Sequence, residues 1–392
     1  MTDNTRFQVK FEEIQQSYNH FIDSCYQSGD GYRLSLNSEV TPYALCFAIF
    51  GKHLVGQIDS ISKEIELFDE LLRSNLSDYK DNCIRNKKNI ETDKGYLQLL
   101  CFTLSALSII KTLNKNPLES HVIPLVKKEN VCEILQKTEI YNGKAGTGNL
   151  AMFYAILLIY SKEYLNKEVD ELIDIWIERH LNSINKNGFW GFSNRNLYLQ
   201  FQNGYHQYEI FEYLGIKNQN QNLTSNFINS LADNIGHFAP YPGGGGCYDY
   251  DAIFLLTFLG ESLNSKNDAL INKTLESILS EQNEDGGFSE SLYIRPRNLK
   301  NLKSMTQHLV QKEGRVRAER ARFCLTLLRF KHNKIKTHWT KYSREWHESN
   351  LWDSWFRMLT IARIDNSISL SSSNWGFINF PGIGHSYILS KN

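Results

Sequence analysis

Proline is scarce, with seven in 392 residues, methionine is scarcer at four, and there is no surplus charge, since 43 lysines and arginines balance 43 aspartates and glutamates. Few prolines leave helices uninterrupted. A formal net charge of zero excludes a general nucleic-acid coat or an acidic tail, both of which need an excess of one sign, so no nucleic-acid partner is expected. No stretch approaches the roughly 18 consecutive apolar residues of a membrane span, and the opening MTDNTRFQVKFEEIQ has no apolar core of signal-peptide type. The expected compartment is the cytoplasm, which leaves room for peripheral contact with a membrane surface. Cysteines at 25, 46, 83, 101, 132, 247 and 324 are odd in number and include no CxxC pair, so no disulfides are expected. Six of them read as small buried hydrophobes, and Cys247 stands apart.

What the chain has is apolar and aromatic bulk: 41% hydrophobic residues, with 22 Phe, 20 Tyr and 7 Trp, enough for a large core. Apolar residues recur at spacings of three and four, and strand-like alternation is rare. A unit also recurs, a polar or glycine-containing turn followed by an apolar helix, at Thr41 to Phe50, Lys94 to Ile110, Gly146 to Tyr160, Asn203 to Leu214, Cys247 to Leu259, Arg317 to Phe330 and Leu351 to Ile364. Starts lie about fifty residues apart, the length of two helices and two loops. Amphipathic segments such as EVDELIDIWIERHLN and LINKTLESILSEQ fall between them. Nearly all-apolar helices alternating with amphipathic ones fit inner helices packed on every side and outer helices facing water. The predicted fold is all-α, a single α/α toroid over residues 1–392 with six or seven helical hairpins, whose inner helices bring their first turns to one rim. The basic segment 292–322 interrupts the spacing and reads as a loop excursion. It is either a solvated face or an anion clamp built on Arg315, Arg317 and Arg320.

Three helix-to-turn junctions share a composition: Asn187-Gly188-Phe189-Trp190-Gly191-Phe192, Gln282-Asn283-Glu284-Asp285-Gly286-Gly287-Phe288, and Asn374-Trp375-Gly376-Phe377. Glycine takes the left-handed conformation at a helix end, and an aromatic folds back over the last turn. The second junction, within LESILSEQNEDGGFSES, resembles the Gln-rich, Gly-aromatic repeat of the squalene cyclase and protein prenyltransferase β-subunit superfamily. Ser349-Asn350-Leu351-Trp352-Asp353-Ser354 is similar to the S-x-x-W-D-[S/T] helix start of squalene and oxidosqualene cyclases. Gly246-Cys247-Tyr248-Asp249-Tyr250-Asp251-Ala252 resembles the D-x-D-D-T-A motif of class II terpene cyclases, with the third Asp and the Thr missing. The resemblance covers roughly residues 145 to 380. On that alignment Asp251 matches the family's proton donor and Asp249 the first Asp.

For Asp249 and Asp251, two residues apart at a helix start, one reading is a pair of caps and the other an acid pair. Two carboxyl groups in an apolar cavity cannot both ionise cheaply, so one keeps a proton to give to an alkene. Tyr205, Tyr208, Phe211, Tyr248, Tyr250, Trp352 and Trp355 are candidate walls around the resulting cation, or else ordinary core. His206 and Glu209, three residues apart, read as a general base with its orienting carboxylate, or as a tie between helices. His385, after a glycine-rich turn, either folds across the cavity or is a loop histidine, and Asp353 is a rim candidate or a structural residue at a helix start.

The first functional reading is a class II terpene cyclase-like isomerase acting on an isoprenoid, with no cofactor. In the prenyltransferase β subunits, which the chain resembles, zinc is held by Asp, Cys and His, and Cys247, Asp249 and His206 form the corresponding set here, although Asp-x-Cys is reversed to Cys-x-Asp. A Zn2+ or Mg2+ cofactor belongs to that alternative. A third reading is a carbohydrate-active enzyme, which polar cavity walls would favour, and a fourth is a non-catalytic binding scaffold.

Overall fold

The computed structural model describes residues 3–137, 146–192, 194–260, 265–312 and 314–386. Among them are fifteen α-helices. The first eight are α1 (Asp3–Ser24), α2 (Pro42–Leu54), α3 (Ile65–Arg85), α4 (Lys94–Ile109), α5 (Glu119–Val122), α6 (Lys128–Lys137), α7 (Thr147–Glu163) and α8 (Asp170–Leu181). The remaining seven are α9 (Leu197–Tyr213), α10 (Gln221–Leu231), α11 (Gly246–Leu256), α12 (Ser265–Leu279), α13 (Leu299–Val310), α14 (Gly314–Leu327) and α15 (Leu351–Ile368). Sheet among the described residues is confined to two antiparallel ladders of two-residue strands, Tyr26–Gln27 with Gly31–Tyr32 and Lys334–Ile335 with Arg344–Glu345.

Local chemistry sets the helix starts. Thr41 accepts from the Ala44 N–H and Pro42 opens α2, Asp93 accepts from Tyr96 ahead of α4, and Asn350 accepts from Asp353 ahead of α15. Helices α2, α4, α7, α9, α11 and α15 are buried on nearly every side, whereas α3, α8 and α10 bury one stripe. The predicted alternation of apolar and amphipathic helices is present for six of the seven expected inner helices; the seventh, Arg317 to Phe330, falls in α14, which buries only Arg320, Cys324 and Leu327.

The chain forms two compact units, each from discontinuous segments: unit one from 1–57 and 224–376, unit two from 58–223 and 377–392. In unit one, α11 lies against α15 so closely that a Cβ on Gly246 would meet the Asp353 carbonyl oxygen at 2.9 Å. On another side of α15, α2 packs Phe47 and Phe50 onto Trp355, the latter with centroids 4.9 Å apart. In unit two, α7 and α9 meet at Gly148, where any side chain would overlap the Asn203 backbone; Asn203 Oδ1 accepts from Gly148 N at 3.1 Å.

The segment 292–322 was expected as a loop excursion. It contains α13 and the first part of α14, paired helices whose inward positions Met305, His308, Arg320 and Cys324 are buried. Its density of cations hid the apolar spacing.

The glycine corners repeat as geometry. Gly188 N donates to Asn185 O and Asn185 N to Phe189 O; Gly286 N donates to Asn283 O and Asn283 N to Gly287 O. Both glycines are left-handed, at φ 79° and 86°. A further corner, unread in the sequence, follows α10: Gly236 N donates to Asp233 O, and Asp233 N to His237 O. It places His237 where the first of these corners has Phe189, at 0% exposure.

Candidate active site

The corner at 233–238 carries a histidine into the core, and the sequence supplies partners from three other elements. His237 Nδ1 lies 2.7 Å from Asp249 Oδ2 on α11, and Nε2 lies 2.9 Å from Glu281 Oε1, just past the end of α12. Arg357 on α15 donates through Nη1 to Asp249 Oδ2, and its Nη2 is 3.2 Å from Gly243 O and 3.6 Å from Glu281 Oε2. Phe238 N and the Tyr293 hydroxyl complete the donors to Asp249 and Glu281. Burial pushes the His237 imidazole down, but the charges of Glu281 and then Asp249 outweigh it and hold the group well above its ordinary 6.5. Two carboxylates and two cations thus balance where water is excluded, tying four elements together.

A second cluster follows from the first through the backbone, because Gly245 N, in the loop that Arg357 holds at Gly243, donates to Glu290 O at 2.8 Å. Arg344 Nη2 lies 3.2 Å from both Glu290 Oε2 and Asp353 Oδ2, so these oxygens are no farther apart than twice that distance. Tyr241 donates its hydroxyl to Glu290 Oε1, and Asn350 Nδ2 donates to Asp353 Oδ2 at 2.6 Å. Burial, then the charge of Asp353, push the Glu290 carboxyl up to about 7 against the pull of Arg344. The Glu290 side chain keeps 16% of its surface exposed, whereas Asp353 keeps 1%. Glu290 therefore exchanges its proton near neutrality, beside the buried Asp353. Arg344 Nε and Nη1, Asp353 Oδ1 and Arg357 Nε are buried without hydrogen-bond partners. Also in unit one is a cavity of about 260 Å³ with a mixed polar and apolar wall that includes Asp233, Ile235, Pro242, Tyr293, Lys303 and His308.

The residues singled out in the sequence fall as follows. Asp249, Asp251 and Asp353 belong to unit one and His206 and Glu209 to unit two. Asp249 is an ion-pair partner of Arg357 and His237, and Asp251 is 4% exposed, one half-turn along α11. The Cys247 thiol is pushed well above its ordinary range by burial and by Asp251, Glu290, Asp353 and Asp249. Among the described residues no group of three or more His, Cys, Asp or Glu is disposed to hold a metal ion, and the set Cys247, Asp249 and His206 is divided between the units. His206 Nε2 meets Asn149 Nδ2 at 2.8 Å, and burial with Lys94 nearby pushes the ring down to about 3. Glu209 accepts from Tyr205, and Tyr208 donates to Gly188 O at 2.5 Å; both tyrosines are fully buried, and Phe211 is 1% exposed.

Tyr248 stands edge-on to Tyr241, Tyr250 to Phe356, and Trp352 lies among Trp339, Phe356 and Phe47. Trp355 is 1% exposed. Of the three arginines, Arg320 is buried and donates to His308 O and Leu231 O, Arg317 donates to Leu309 O and Val310 O, and Arg315 is exposed. His385, in unit two, is 4% exposed and stacks edge-on against Tyr213. Missed in the sequence were His237, Glu281, Arg357, Glu290 and Arg344. The usable signals were Asp233-x-x-Gly236, which repeats the corner pattern, and Arg357, one of two arginines, with Arg363, inside an apolar helix.

No protein-family model matches the chain, and no curated protein sequence matches it. Among solved structures, a wild-type glycosidase aligns with a TM-score of 0.52 at 10% identity, covering 93% of this chain and 98% of its own. A variant of a glycosidase in complex with glucose aligns at 0.51, again at 10% identity and with the same coverage. A type II terpene cyclase, MstE from Scytonema, aligns at 0.48 with 10% identity, covering 92% and 98%. The chain is all-α and has the α/α toroid fold of the glycosidase structures. At this identity the likeness extends to fold alone.

Proposed function

We propose that the protein is a carbohydrate-active enzyme that breaks an acetal bond by general-acid catalysis. The observation that carries this is the pair on Arg344: Glu290, its carboxyl pushed up to about 7, next to the carboxylate of Asp353. The Glu290 proton passes to the leaving-group oxygen as the C–O bond breaks, and Asp353 stabilises the positive charge that develops at the sugar carbon. Water then adds to that carbon, and its proton returns to Glu290. Tyr241 and Arg344 hold Glu290 in either protonation state, since both donate to its oxygens.

Hydrolysis of a panel of nitrophenyl glycosides by the wild type and Glu290→Gln tests it. The variant is expected to lose about 10²–10⁴ in kcat, least with the best leaving group. Undiminished turnover by the variant refutes the assignment. A terpene cyclase-like isomerase with Asp251 as acid is the second reading, supported by the aromatic cluster of Trp352, Trp355, Phe356 and Phe47 on the adjoining helix faces. Asp251→Asn with isoprenoid substrates separates the two: only the second reading predicts turnover that this variant abolishes.

A further inference from the structure

Six of the eleven large hydrophobic side chains that stand exposed among the described residues lie between 299 and 330. Leu299 and Phe330 are 85% and 83% exposed, followed by Leu325, Val310, Leu302 and Leu328. They do not replace an inward face, because Asn301, Met305 and His308 of α13 and Arg320, Cys324 and Leu327 of α14 already fill it. Leu299, Leu302 and Val310 share one stripe of α13, at spacings of three and eight, with Lys303 alongside. Leu299, Leu302 and Leu328 also border one cavity of about 390 Å³, whose other walls include Ile294 and Met305. Exposed leucines gathered around one cavity, with further apolar side chains exposed on the same hairpin, mark an interaction surface.

Charge identifies the partner. Residues 297–331 contain ten lysines and arginines against two glutamates, in a chain that is neutral as a whole. Eight of these cations are exposed, among them Lys300, Lys303, Arg315 and Arg322. Apolar tips ringed by cations fit a bilayer whose headgroups are anionic: the tips enter the boundary between headgroups and acyl chains, and the cations meet lipid phosphates. No described helix is long and apolar enough to cross a membrane. We propose that the α13–α14 hairpin docks the protein on an anionic lipid surface.

The test is flotation of the full chain with vesicles of phosphatidylcholine alone and of phosphatidylcholine mixed with phosphatidylglycerol. Binding is expected with the mixed vesicles only, falling as salt is raised. Leu299→Glu with Phe330→Glu is expected to weaken it on the order of tenfold or more, with an unchanged circular dichroism spectrum and urea midpoint. Lys303→Glu with Arg322→Glu is expected to remove the preference for phosphatidylglycerol. No binding by the wild type, equal binding by the apolar variant, or a dimer in light scattering that this variant dissociates would each overturn the proposal.

Discussion

Replacing Glu290 by Gln should cut kcat by about 10²–10⁴ and make stability, relative to wild type, rise with pH. The wild type binds a proton at Glu290 more tightly when folded, because the carboxyl moves from 4.5 to about 7. Its contribution to stability is complete below pH 4.5 and is lost as pH rises through about 7. From those two values the wild type has forfeited on the order of 1 kcal/mol at pH 5 and on the order of 3 kcal/mol at pH 8. Glutamine cannot ionise and forfeits neither. Any difference in how its amide bonds to Tyr241 and Arg344 is independent of pH and cancels, so the stability of the variant relative to wild type should grow by roughly 2 kcal/mol between pH 5 and pH 8. Urea denaturation followed by tryptophan fluorescence is the assay, since five of the seven tryptophans lie in unit one. Parallel pH profiles for the two proteins would refute the placement of a neutral Glu290 beside Asp353, and with it the acid in the proposed reaction.

Loss of the Glu290 proton also predicts that kcat/KM declines as pH rises above about 7, with no such limb in any residual activity of the Gln variant, measurable on a nitrophenyl glycoside. Arg357→Met leaves two carboxylates buried without their guanidinium and should cost about 3–5 kcal/mol of unit-one stability by urea titration; a loss below about 1 kcal/mol contradicts the balanced quartet. The His237 imidazole, held well above 6.5 by Glu281 and Asp249, contributes stability that is present below 6.5 and is lost as pH climbs through its folded value, so His237→Leu should flatten the alkaline fall in urea midpoint. Asn350→Ala removes the cap on α15 and a donor to Asp353, with an expected loss of about 1–2 kcal/mol by the same titration.

Most of the helices follow from local sequence. Scarce proline, the three-and-four spacing and the cap residues Thr41, Asp93 and Asn350 act through neighbours within one or two turns, so they can be read along the chain. The glycine corners at Gly188 and Gly286 were legible for the same reason, since a left-handed φ is a local demand, whereas Gly376 of the third is not left-handed. Asp353 was legible as a helix-start residue because Asn350 caps it three positions away. What the cluster does was not. His237, Asp249, Glu281 and Arg357 span 120 positions, and their charges have meaning only when burial strips them of water and makes each the others' solvent. Glu290 looks like any glutamate after a turn until Arg344 and Asp353 arrive beside it, and its proton is held by desolvation and a neighbouring charge, neither of which is written in residue spacing. Tertiary structure likewise decided the basic segment: its cations read as a solvated run, and only the burial of Met305, His308, Arg320 and Cys324 shows which leucines were left outside. Local conformation follows from covalent neighbours, whereas proton affinity and exposure follow from what folding brings near.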